Sequence, residues 1–218
     1  MDNDRFRFPD HTTHVALMIR HAERDPIEQM ADALAPRLTL KGRTDSVRMG
    51  RSLAPHAPFA IFHSPVPRCR ETAECVSEGI AQCNADSTIK GELLGLGGPY
   101  ITGNWDGIVA SIEKLGHSRF IRKWFDNQLP SGLIMPLPEA ARIQAGILAG
   151  HLRASAMSSI HVTHDWNIMI VREYYFQLRH EDIGDPDFLD GMLGFIQNGA
   201  LFLRYHEHEK RILQEDIV

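Results

Sequence analysis

Cysteine is scarce in this chain: Cys69, Cys75 and Cys83 are the only three in 218 residues, and they fall in one short stretch. So low and odd a count excludes a disulfide scaffold, and gaps of six and eight residues match no common zinc signature, so they read as small buried thiols. Long apolar runs are also missing. No run reaches the roughly eighteen residues that a membrane-spanning helix needs, so no membrane partner is expected. Residues 1–7 lack the apolar stretch of a secretory signal, which predicts a cytoplasmic protein. Positive charge is in short supply, with Lys+Arg 23 against Asp+Glu 28 and a formal net charge of −5, unlike the basic stripe of a general nucleic-acid binder. There is no Gly-x-Ser-x-Gly elbow, no phosphate-binding Gly-Lys-Ser/Thr loop, no repeat and no low-complexity stretch.

What is present is an alternation of apolar runs and amphipathic segments. Residues 14–19, 59–62 and 159–162 read as strands covered on both faces. Helices are predicted from about Lys41 to Leu53, from Arg68 to Ala81 behind Pro65 and Pro67, from Pro138 to Ala154, and from Asp165 to about Leu178. Strands alternating with helices give an α/β fold: one domain, a three-layer sandwich around a mainly parallel sheet. Near the C-terminus, Leu193–Ile196 and Ala200–Leu203 flank Asn198-Gly199, a hairpin signal that adds antiparallel pairing at the sheet edge and offers an edge for a homodimer.

Two regions break the pattern. Residues 92–137 combine clustered glycines with Trp105, Arg119, Phe120, Arg122, Lys123, Trp124 and Phe125. They read either as a lid inserted over the sheet edge or as a core-packing helix with solvated basic groups. The acidic run Glu181, Asp182, Asp185, Asp187 and Asp190 reads as a solvated loop, and His206 and His208 as alternating positions of a solvated edge strand.

The chemistry-bearing residues stand where three strands end: Arg20, His21 and Arg24; Arg68; and His164 with Asp165. Ligands of open α/β sheets bind beyond the carboxyl ends of the strands, so these segments converge on one edge. Guanidiniums grip phosphate bidentately and keep their charge, which makes Arg20, Arg24 and Arg68 a clamp for a small phosphorylated substrate. His21 is the candidate nucleophile, since a neutral imidazole attacks phosphorus when its second nitrogen is held. His164 is a donor to the phosphoryl oxygens. Asp165 serves either as a general acid, which needs a raised pKa, or as a helix cap. Glu92 is the reserve acid and Glu23 a weaker one. The other histidines, including His11, His117 and His180, show no metal-ligand spacing, so no metal and no cofactor are expected.

Arg20-His21-Ala22-Glu23-Arg24, Leu38-Thr39-Leu40-Lys41-Gly42, Ser64-Pro65-Val66-Pro67-Arg68 through Thr72-Ala73, and Thr163-His164-Asp165 together resemble the histidine phosphatase superfamily, over residues 15–170. The resemblance implies a phosphoglycerate mutase-like fold and a phosphohistidine at His21. It also implies phosphate binding by Arg20, Arg24, Arg68 and His164, and neither metal nor organic cofactor. Ala22 stands where the family has glycine. The acid is either Glu92, as in the compact mutase-like branch, or Asp165, as in the acid-phosphatase branch. The expected activity is hydrolysis of a phosphomonoester, with a phosphomutase or a silent phospholigand-binding module as the alternatives.

Overall fold

The computed structural model describes residues 6–10 and 14–213; residues 1–5, residues 11–13 (among them His11) and residues 214–218 lie outside the described residues. The strands are β1 (Ala16–Arg20), β2 (Phe59–His63), β3 (Ser87–Glu92), β4 (Ser158–Thr163), β5 (Gly191–Gln197), β6 (Ala200–Tyr205) and β7 (His208–Ile212). The helices are α1 (Leu40–Leu53), α2 (Pro67–Ala81), α3 (Trp105–Leu115), α4 (His117–Phe125), α5 (Leu137–Ala154), α6 (Asp165–Phe176) and α7 (His180–Ile183). The sheet runs β3-β2-β4-β1-β5-β6-β7. It is parallel from β3 to β1 and antiparallel from β5 onward.

The continuous apolar reading of β1 corresponds to burial on both faces. Ala16 and Met18 enter a core with residues of α3, α4, α5 and α6. Leu17 and Ile19 enter a second core with Leu53 of α1 and Cys69, Ala73, Val76 and Ile80 of α2. Each Leu, Ile or Met buried this way contributes about 1.5–3 kcal/mol. Helix on one face, sheet, helix on the other is the three-layer arrangement expected from the alternation.

Local chemistry explains the segment before α1. Thr39 caps the helix, its Oγ1 accepting from Gly42 N at 2.9 Å, while Thr39 N donates to the Glu23 carbonyl at 3.1 Å. A Cβ on Gly42 would sit 2.0 Å from that same carbonyl, so no larger residue fits. Glu71 on α2 is buried and accepts from Leu38 N at 2.9 Å, with Arg43 at 3.1 Å and Arg37 as ion-pair partners. Thr72 Oγ1 accepts from Ala22 N at 3.0 Å. These contacts lock the turn after β1 against α2.

Four sequence expectations change here. β3 was not anticipated, because an edge strand with one apolar residue carries no period-2 signal. Cys83 is exposed, unlike buried Cys69 and Cys75. His206 lies in the turn between β6 and β7 (φ 50°), so it does not share a strand face with His208. Asp190 is not solvated: it is 4% exposed and accepts from Tyr205 Oη at 2.7 Å and Gly191 N at 2.8 Å. The hairpin strand β6 is covered by β7, whose exposed polar side chains His208, Glu209, Lys210 and Arg211 now form that edge.

His161 on β4 is fully buried beside Phe62 and His151, and burial first, then His151, push its pKa down from 6.5 to about 3. Between those pH values the unfolded chain binds a proton that the folded protein does not. Stability is therefore full above pH 6.5 and is lost by about 1.4 kcal/mol per pH unit as pH falls. Urea unfolding at pH 7, 6 and 5 should show a slope that His161→Phe reduces by about that amount; an unchanged slope would mean that the ring protonates within the fold.

Candidate active site

His21 follows β1, Ser64 follows β2 and His164 follows β4, so these three adjacent parallel strands each deliver a polar side chain to the same edge. The link is direct: His21 N donates to Thr163 O at 2.8 Å and Ser64 N to Val162 O at 3.0 Å. His21 is 2% exposed. Its Nδ1 donates to the Ala22 carbonyl at 2.8 Å, and its Nε2 accepts from Arg68 Nε at 2.9 Å. This pairing defines the neutral tautomer with the lone pair on Nε2. Burial, followed by His164 and Arg68, holds its pKa well below the usual histidine range, which keeps the ring neutral.

Arg68 is the hub. Besides His21 it donates through Nη1 to Ala33 O at 2.8 Å and through Nη2 to His164 Nδ1 at 3.2 Å. His164 Nε2 lies 2.9 Å from Ser64 Oγ. The hydroxyl accepts from Nε2 in one tautomer and donates to it in the other, so an anion replacing Arg68 at Nδ1 meets a donor without charging the ring. Burial and Arg68 lower the His164 pKa.

Arg20 pairs with Asp165, Nη2 to Oδ2 at 2.7 Å, donates to the Pro186 carbonyl and stacks over Phe188 at 4.5 Å. Arg20 Nε and Arg24 Nε are buried and have no hydrogen-bond partner in the protein. Asp165 opens α6, where its Oδ1 accepts from Trp166 N at 2.9 Å. Burial pushes its pKa up, but Arg20, His21 and His164 outweigh that and leave it below the usual carboxylate range. Burial alone therefore does not keep this group protonated, and the acid role rests on the charge of the substrate; the cap position itself is His164.

These groups line a cavity of about 430 Å³, together with Arg24, Ile27, Met30, Leu34, Tyr100, Ile101, Trp105 and Trp166. That volume falls within the usual range for small-molecule sites. Every residue proposed for catalysis or phosphate binding (Arg20, His21, Arg24, Arg68, His164 and Asp165) is at this wall. Glu92 and Glu23 are not. Glu92 is exposed at the end of edge strand β3, and Glu23 engages Thr39 Oγ1 at 2.9 Å and Lys41 at 3.3 Å. Of the aromatic and basic residues in 92–137, Trp105 reaches the cavity, Trp124 is core, and Arg122 is tied to Glu173, Glu181 and Asp126.

The family model for the histidine phosphatase superfamily (branch 1) matches residues 16–178. The chain belongs to the histidine phosphatase superfamily. Solved structures with the superfamily's fold are similar across nearly the whole chain. A mycobacterial glucosyl-3-phosphoglycerate phosphatase in complex with VO3 shares 19% identity and a TM-score of 0.57, over 83% of this chain and 92% of that one. A phosphoserine phosphatase from Entamoeba histolytica in complex with 3-phosphoglyceric acid shares 15% identity and a TM-score of 0.61, over 94% and 100%. A phosphoglycerate mutase from Bacillus anthracis shares 14% and 0.58, over 88% and 92%. No curated protein matches the sequence.

The superfamily's glycine position is filled here without crowding. The Ala22 methyl is fully buried against Leu38 and Leu189, and its φ is not positive. Ser64 and the Pro186–Phe188 strap were missed by sequence reasoning. Ser64 was legible as the residue preceding Pro65 at a strand end; the strap carries no motif. His117, His180 and Asp185 were also not connected, although one donor atom from each lies within 4.8 Å of the others. Among the described residues, no helix is long and apolar enough to cross a membrane.

Proposed function

We propose that this protein is a cytoplasmic phosphomonoesterase that hydrolyses a small phosphorylated substrate through a phosphohistidine on His21. The observation that carries the reading is the His21 ring: neutral, anchored at Nδ1 by the Ala22 carbonyl, with the Nε2 lone pair on Arg68 Nε and with Arg20 and His164 on the same cavity wall. In the first step Nε2 bonds to phosphorus as the phosphorus–oxygen bond to the leaving group breaks. The departing oxygen takes a proton from Asp165. The unpartnered Arg20 Nε and Arg24 Nε, with Arg68 and His164, meet the charge on the equatorial oxygens. Asp165 receives its proton when the substrate arrives as a monoanion whose dianionic form offsets Arg20. In the second step Asp165 accepts a proton from water, which attacks the phosphohistidine and frees inorganic phosphate. The apolar side of the cavity, with Ile27, Met30, Leu34, Ile101 and Trp105, suits a leaving group with apolar surface. Residues 92–137 act as the lid that selects it.

Rapid acid- and base-quench labelling with a phosphorus-labelled monoester tests this reading. The expected adduct is acid-labile and base-stable, maps to His21 and decays with release of phosphate. An adduct that passes only to a second acceptor, with no phosphate released to water, would identify a mutase. Phosphate binding with no adduct would identify a silent binding module.

A further inference from the structure

A second constellation shares the cavity wall without touching the phosphoryl chemistry. His117 opens α4, His180 opens α7 and Asp185 lies in the loop beyond, and a donor atom from each falls within 4.8 Å of the other two. His117 and Asp185 line the cavity. His180 is 7% exposed, and its buried Nδ1 has no hydrogen-bond partner. Asp185 Oδ1 approaches that nitrogen to 3.4 Å, outside hydrogen-bond geometry. A buried imidazole nitrogen left this way is unfavourable, and it faces a second imidazole and a carboxylate.

We propose that His117, His180 and Asp185 form a binding site for one divalent transition metal of the zinc class. Two imidazole nitrogens and one carboxylate oxygen suit zinc and its first-row neighbours rather than magnesium or calcium, which prefer oxygen ligands. Bonds of about 2.0–2.1 Å place tetrahedral donors roughly 3.3 Å apart, so the three groups must draw together by about an ångström. Asp185 supplies that movement: its side chain is 47% exposed and it follows Gly184, which has a positive φ of 69°. His180 is the fixed member. Three protein ligands leave a fourth position for water or an oxygen of a ligand in the cavity. His117 Nε2 accepts from Trp166 Nε1 at 3.3 Å, and metal capture at His117 breaks that hydrogen bond: an ion at Nε2 takes its lone pair, and an ion at Nδ1 moves the ring proton to Nε2. In both cases the environment of Trp166 changes.

The inference does not depend on the hydrolytic reading, and its test reads metal directly. Chelator-stripped protein is titrated with zinc by calorimetry and with cobalt(II) by visible absorption, while tryptophan fluorescence is followed. The expected result is one ion per chain, held at about micromolar affinity or tighter, with cobalt bands of a low-coordinate site and a fluorescence change. Asp185→Asn and His117→Gln, both at positions accessible to solvent, should each weaken binding at least about tenfold. His180→Gln should remove it. Absence of a 1:1 site, or unchanged affinity in Asp185→Asn and His117→Gln, would overturn the proposal. Phosphohistidine labelling on the stripped protein is the separate control. Labelling that persists while metal fails to bind removes only the metal site, and metal binding without labelling removes only the hydrolytic reading.

Discussion

His21→Ala should lower kcat for release of phosphate from phenyl phosphate by at least about 10⁴-fold, because it removes the atom that bonds to phosphorus. Inorganic phosphate should still bind as a competitive ligand, since Arg20, Arg24, Arg68 and His164 are all retained. The substitution also strips Arg68 Nε of its acceptor. A buried polar nitrogen without a partner costs about 1–3 kcal/mol, and one on a charged guanidinium costs more, so thermal unfolding should be measured alongside. His21→Gln separates the two effects, because an amide oxygen can accept from Arg68 without attacking phosphorus. Turnover above about 1% of wild type in both variants would mean that water or His164 attacks instead and would sink the covalent route through His21.

Asp165→Asn should have the next largest consequence, and its size should depend on the leaving group. Alkyl phosphates release a strongly basic oxygen and should slow by about 10²–10⁴-fold. A nitrophenyl phosphate leaves without help and should slow by less than about tenfold. Equal slowing for both would remove the acid role. The variant also frees Arg20 from its 2.7 Å ion pair, so inhibition by inorganic phosphate should strengthen. The pH profile follows from the same pair. Asp165 is held ionised in the free protein, burial being outweighed by Arg20, His21 and His164. The proton must then come with the substrate, and kcat/KM for alkyl phosphates should decline as pH rises through the substrate's own second ionisation, near pH 6. On the acid side the lowered His21 pKa keeps the nucleophile neutral below the usual histidine midpoint. A loss of activity as pH falls through about 6.5 would therefore contradict the neutral ring described for His21.

The strand ends were readable because burial on both faces produces continuous apolar runs, and each of the three runs stops at a polar group: Arg20 and His21, His63 and Ser64, Thr163 and His164. The fold class followed from the same runs. What sequence did not show depended on closure in three dimensions. His117 and His180 are far apart in the chain and on different helices, and neither spacing nor composition links them. Asp190 looked like one more acid in a solvated run, yet it is buried by Tyr205 and His206, which reach it only because β6 turns back on β5. Trp124 and Arg122 share a short helix with opposite fates, one packed into the core and the other paired with Glu173 and Glu181, because residues two apart on a helix point in different directions. The place of Glu92, exposed and away from the cavity, depended on where β3 ends, and β3 carries almost no apolar signal of its own.

β1 has β4 on one side and β5 on the other. Both neighbours lie more than a hundred residues downstream, so the strand that carries Arg20 and leads into His21 has no sheet partner until most of the polypeptide exists. During synthesis the N-terminal third of the chain must therefore wait, apolar on both faces, while α1, α2 and β2 emerge. Contacts so distant in sequence slow folding, because a long loop must close before they form. Chains halted before about residue 158 would leave that strand bare and prone to aggregate, whereas longer chains complete the central sheet and set His21 against Thr163 in the same event.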